Sequence, residues 1–188
     1  MDYDGKDYGI RINHETRTIT IVGNFNDYSP KAKDVAQMGV DYWNSQSGKF
    51  SYQIGKGDNA VNYSINFELT TGDASENAIQ NTVSVLPNDS KIFHKTDANG
   101  NPVERGGVSD GQTFSVQDQY ATSKTVGPHE MGHNLGADHS YGLMSTDTGD
   151  QTDKINTNTI SDILYNSTGG KDNSQMGEAI INMVQMLK

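Results

Sequence analysis

The chain has 188 residues, a net charge of −10 at pH 7 with a sequence pI near 4.7, and 32% hydrophobic residues at a mean hydropathy of −0.71. That length fits one domain, and such acidity argues against nucleic acid or an anionic membrane surface as a partner. The absence of cysteine excludes disulfides and thiolate zinc sites. The opening stretch "MDYDGKDYG" is polar and acidic and does not read as a signal peptide. No apolar run approaches membrane-spanning length, so no membrane insertion is expected. "YGIRINHETRTITIVGNF" alternates apolar and polar residues on both sides of "NHETR" and predicts a hairpin with strands near 8–12 and 17–23. His14 then falls in its turn.

"YSPKAKDVAQMGVDYWNSQSG" predicts a helix with Ser29 as N-cap and Pro30 in the first turn, ended by Gly48. Ala32, Val35, Met38 and Tyr42 recur at spacings of three and four and form its apolar face. Trp43, at the edge of that face, is read as core packing rather than a cleft residue. Gly39 counts against the helix, since glycine costs about 1 kcal/mol there relative to alanine. "KFSYQIG", "NYSINFELT" and "NTVSVLP" read as strands. From 88 to 124 the chain is polar and glycine-rich, with turns at "DANGNP" and "SDGQ" and a short strand at "QTFSVQ". His94 in this stretch reads as structural. "NTISDILYN" and "SQMGEAIINMVQMLK" predict two further helices, the second with an amphipathic face from Met176 to Leu187.

Between these segments lies "HEMGHNLGADH", which holds three of the five histidines. On a helix, His129 and His133 share one face and can address one ion. A helix continued to residue 139 would carry His139 off that face. Gly136 suits a left-handed turn that ends the helix and swings His139 back as a third ligand. Three imidazoles leave a fourth position for water, as a catalytic zinc ion requires. Glu130 adjoins the first ligand and is placed to act as general base and acid on a zinc-bound water rather than as a ligand. A purely structural zinc site would need no Glu130 and would be closed by a fourth protein ligand.

The spacing His129-Glu130-x-x-His133-x-x-Gly136-x-x-His139 resembles the metzincin clan of zinc metalloendopeptidases. "SYGLMS" is similar to the clan's methionine turn, with Met144 five residues after His139, a short connection for the clan. The resemblance implies an α+β fold. An N-terminal subdomain (about 1–136) would hold a twisted mixed β-sheet with helices, and a small, mainly helical C-terminal subdomain (about 137–188) would follow. It implies one catalytic Zn2+ held by His129, His133 and His139, and Met144 as the structural floor of the site. It also implies an edge strand along the cleft that pairs with extended substrate, which residues 112–116 would supply. Two features depart from the pattern. Ser145 and Thr146 follow Met144 where many members place a tyrosine, and Pro128 directly precedes His129, so the site helix is expected to start close to the first ligand.

Residues 1–188 are therefore expected to form a single zinc metallopeptidase domain, a monomer acting on a protein or peptide, secreted or delivered outside the producing cell. Two alternatives stand beside it. One is the same domain as the C-terminal toxin module of a larger bacterial secreted or RHS-type protein, with an immunity protein as partner. The other is an inactive metzincin-like binding domain, against which an intact Glu130 argues. Asp147, Asp150 and Asp153 recur by threes and raise Ca2+ as a second ion, although a solvated acidic loop is the better reading of them. "DANGNP", with Asp97, Asn99 and Asn101, reads better as a turn than as an ion site.

Overall fold

A computed structural model describes residues 3–5, 9–27, 29–72, 80–146 and 151–167; for 3–5 it describes the backbone alone. The elements in chain order are β1 (Tyr3–Gly5), β2 (Ile10–Asn13), β3 (Thr18–Asp27), α1 (Pro30–Asn44), β4 (Ser51–Ile54), β5 (Val61–Thr71) and β6 (Gln80–Leu86). They continue with β7 (His94–Thr96), β8 (Pro102–Glu104), β9 (Gly107–Ser109), β10 (Thr113–Gln117), α2 (Val126–Asn134) and α3 (Thr157–Ser167). The result is a mixed α+β fold, with a curled mixed sheet and three helices among the described residues.

Strand β3 is the hub of the sheet. Its first half pairs antiparallel with β2, as the alternating hairpin predicts. Along its other edge it runs parallel to β5, which carries β4 antiparallel outside it. The last four residues of β3 pair parallel with β6, β6 pairs parallel with β10, and β10 pairs antiparallel with β9. This places β9 at the edge and corrects the sequence expectation. Residues 112–116 belong to an interior strand, with Phe114–Gln117 buried, and the edge is the three-residue strand at 107–109. Strands β7 and β8 form a separate hairpin whose turn is "DANGNP". There the Asp97 carboxylate accepts the backbone N–H groups of Asn99 and Asn101, so it closes a turn. The sequence pattern missed β1, β7, β8 and β9. They are three residues long, and β7 and β8 are exposed throughout, so no apolar alternation marks them.

Helix α1 covers the sheet, packing on β3, β5 and β6. Its N-cap is Ser29, whose hydroxyl accepts Ala32 N–H at 3.3 Å. It ends at Asn44, four residues before the predicted stop at Gly48. Ser45 and Gln46 side chains both donate to the Tyr42 carbonyl there, and Gly48 with φ 75° turns the chain back toward β5. Gly39 has a packing reason. A Cβ at that position would lie 2.5 Å from the Met131 methyl on α2, so the glycine lets the two helices meet. Trp43 is fully buried and donates its indole N–H to the Pro128 carbonyl at 2.9 Å, as its core reading requires. One apolar cluster runs from the sheet through α1 and α2 to Leu143, Met144 and α3. The predicted helix 174–188 lies outside the described residues. Among those described, no helix is long and apolar enough to cross a membrane.

Candidate metal centre

Helix α2 carries the first two histidines through the middle of the molecule. It packs on α1, β9, β10 and the turn at 142–144, and every residue from Val126 to Gly132 is buried. Close contact on several sides explains its small residues. A Cβ on Gly127 would touch Val35 at 3.0 Å, and one on Gly132 would overlap Met144 Sδ (2.7 Å) and Trp43 (2.9 Å). The helix starts at Val126, only three residues before His129, in keeping with Pro128 in its first turn. Gly136 ends it with φ 100°, a conformation side chains disfavour, and its N–H bonds back to the His133 carbonyl at 3.0 Å. Asn166 of α3 pins this turn by donating to the Gly136 carbonyl at 2.6 Å.

The turn brings His139 back to the helix. His133 Nε2 lies 3.1 Å from His129 Nε2 and 3.2 Å from His139 Nε2. The ligand atoms of all three residues lie within 4.8 Å of one another. Their far nitrogens explain why this cluster fits a cation. His129 Nδ1 is 2.7 Å from the Leu143 carbonyl and His133 Nδ1 is 2.8 Å from the Ala137 carbonyl. A carbonyl can only accept, so each neutral ring holds its proton on Nδ1 and turns a lone pair on Nε2 toward the shared centre. Such lone pairs repel unless a cation lies between them. A tetrahedral zinc with bonds of about 2.0–2.1 Å sets its nitrogens about 3.3 Å apart, close to the spacing here. Burial also keeps His129 neutral, drawing its pKa down to about 4 in the metal-free chain, and lowers that of His133. The three histidines can therefore hold a metal ion, and the donor set is compatible with zinc.

Glu130 is 6% exposed and lines the same cleft, about 390 Å³, as the three histidines. Burial raises its carboxyl to about 8 in the metal-free chain, while the nearby Arg105 guanidinium acts in the opposite direction. The side chain rests against the edge strand at Gly107. A Cβ there would lie 2.5 Å from Glu130 Cγ and 2.7 Å from its Oε1. Gly107 is thus a site residue that the sequence pattern did not single out. Nothing in the sequence marks it, because β9 leaves no alternation and Gly107 is one of several glycines in a polar stretch.

Met144 is fully buried beneath the helix at Gly132, in a tight turn whose Leu143 carbonyl orients His129. Thr146 lines the cleft, as does Gln151, whose amide donates to the Ser145 carbonyl at 3.2 Å. His14 lies apart, bonded to the Tyr63 hydroxyl at 2.8 Å in the first hairpin turn, and His94 is exposed at the start of β7. Of the three aspartates raised for calcium, Asp147 and Asp150 lie outside the described residues. Asp153 is exposed and accepts the Tyr42 hydroxyl on its backbone carbonyl.

No family model, curated protein or solved structure matches this chain. The functional reading therefore rests on the site itself.

Proposed function

We propose that this chain is a zinc-dependent endopeptidase of metzincin type. The observation that carries the reading is a three-imidazole donor set with a buried carboxylate, Glu130, in the same cleft and outside that set. Bound there, zinc supplies Lewis acidity that lowers the pKa of a water from 15.7 to about 7 and polarises a carbonyl. Glu130 takes the proton from the attacking water and hands it to the leaving amine. Its burial favours this: the carboxyl is held high in the metal-free chain, and a divalent cation beside it draws it back toward neutrality, where a base works best. His129 and His133 are held in the ligand tautomer by the Leu143 and Ala137 carbonyls, and Met144 supports the helix that carries them. Strand β9 offers backbone groups of Gly107–Ser109 along the cleft, where an extended substrate can add as a further strand. The metzincin assignment draws its support from the histidine spacing, the left-handed Gly136 and the buried Met144 turn.

The test is cleavage of an unstructured protein by the zinc-loaded chain, repeated after chelation and with Glu130→Gln. Cleavage that disappears with chelator, returns with zinc and falls in the Gln variant is expected. A zinc-loaded, folded chain that cleaves nothing overturns the endopeptidase reading and leaves a metal-binding domain.

A further inference from the structure

The β7–β8 hairpin forms one wall of the cleft, and its register decides which side chains face in. Lys95 pairs with Val103, and Arg105 N–H bonds to the Phe93 carbonyl at 2.9 Å, which extends the pairing by one step. Residues directly opposite share a face, and so do residues two apart on a strand. Lys95, Val103 and Arg105 therefore project together, and all three line the cleft beside Gly107 and Glu130, as do Asp97 and Glu104.

The wall carries two cations, Lys95 and Arg105, and two carboxylates, Asp97 and Glu104. Among the described residues neither Lys95 nor Arg105 forms an ion pair. The neighbouring carboxylates are engaged elsewhere. Asp97 is tied into its own turn by Asn99 and Asn101, and Glu104 accepts from Gln117 (3.0 Å) and Gln119 (3.4 Å). Arg105 is the less exposed cation. One Nη2 hydrogen bond reaches the Ile92 carbonyl at 2.9 Å, and its Nε is buried with no partner. The half-buried guanidinium thus makes one hydrogen bond, acts on the nearby Glu130 carboxyl and has donor capacity to spare. The planar group is shaped to receive a carboxylate.

We infer that the Lys95–Arg105 wall is a specificity subsite that takes a substrate carboxylate, so that the enzyme prefers Glu or Asp near the scissile bond. This rests on the endopeptidase reading above. The chain's net charge of −10 acts against an acidic substrate at long range, but such repulsion is screened beyond about 8 Å at physiological salt. A contact in a half-enclosed cleft is screened far less and decides the preference.

The experiment uses the zinc-loaded chain and peptide pairs that differ by Glu or Gln at each of three positions on either side of the cut. Wild type is expected to favour Glu over Gln about tenfold in kcat/KM at one position, and Arg105→Met to bring that ratio to about one. Zinc content and thermal melt accompany each variant. Should Arg105→Met not fold, Lys95→Met is read in the same way and should lower the ratio. Equal cleavage of Glu and Gln peptides, or a ratio unchanged in the variants, overturns the acidic subsite and leaves the peptidase standing. No cleavage of any peptide by wild type overturns the peptidase and the subsite together.

Discussion

Alanine at Gly107 should disable the proposed base without touching the metal ligands. Its Cβ would lie 2.5 Å from Glu130 Cγ, 2.8 Å from Cδ and 2.7 Å from Oε1. Ordinary van der Waals contact begins at 3.4 Å, so the Glu130 stem must move by about 0.9 Å. Glu130 has little room for that, being buried between α2 and the edge strand. A displacement of about 1 Å in a reacting group costs about 10²-fold in rate, and that is the expected fall in kcat. The strand itself can accommodate alanine, because Gly107 has no positive φ. The assay is hydrolysis of an unstructured protein beside zinc content and thermal melt on the same preparation. Zinc should stay near one per chain and KM should change less than kcat. A Gly107→Ala variant that cleaves within threefold of wild type would refute the placement of Glu130 against this strand.

Glu130→Gln should retain zinc and lose at least about 10² in cleavage rate, the lower scale for general acid–base catalysis; near wild-type cleavage would remove Glu130 as the base. The same substitution has a stability signature in the metal-free chain. The folded pKa of Glu130 is raised from 4.5 to about 8, so its favourable contribution is complete below about pH 4.5 and is lost as pH rises through 8. Metal-free wild type should therefore lose melting temperature relative to the Gln variant between about pH 4.5 and 8, and parallel profiles would contradict that. His129 has the opposite sign. Its folded pKa is depressed from 6.5 to about 4, so metal-free stability is fully present above 6.5 and falls as pH drops through 4, which a pH series of thermal melts with His129→Gln as control would read. His133→Ala should lose bound zinc in elemental analysis, and full retention would dissolve the proposed donor set. Met144→Leu should keep most activity, since this exchange costs under about 1.5 kcal/mol in cores, whereas Gly132→Ala, which strikes Met144 and Trp43, should lower the melting temperature measurably.

Much of this molecule was legible in its sequence because the signals were local. The β2–β3 hairpin follows from alternation, and α1 follows from its Ser29–Pro30 start and apolar face. The histidine cluster follows from helical spacing plus one glycine, since i and i+4 share a face and Gly136 is the residue that can take φ 100°. The sheet order was not legible. Hydrophobic pattern marks which residues are buried, not which strands are neighbours, so residues 112–116 were expected at the edge when pairing with both β6 and β9 puts them inside. The edge strand itself, and the hairpin that presents Lys95 and Arg105, are too short and too exposed to leave a period-2 signature. Gly107 shows the division most clearly. Only the approach of β9 to α2, residues far apart along the chain, turns a glycine in a polar stretch into the seat of Glu130. Local spacing was enough to choose three histidines that can hold a metal ion, whereas the seat of Glu130 and the make-up of the cleft wall depend on contacts that exist only once the chain has folded.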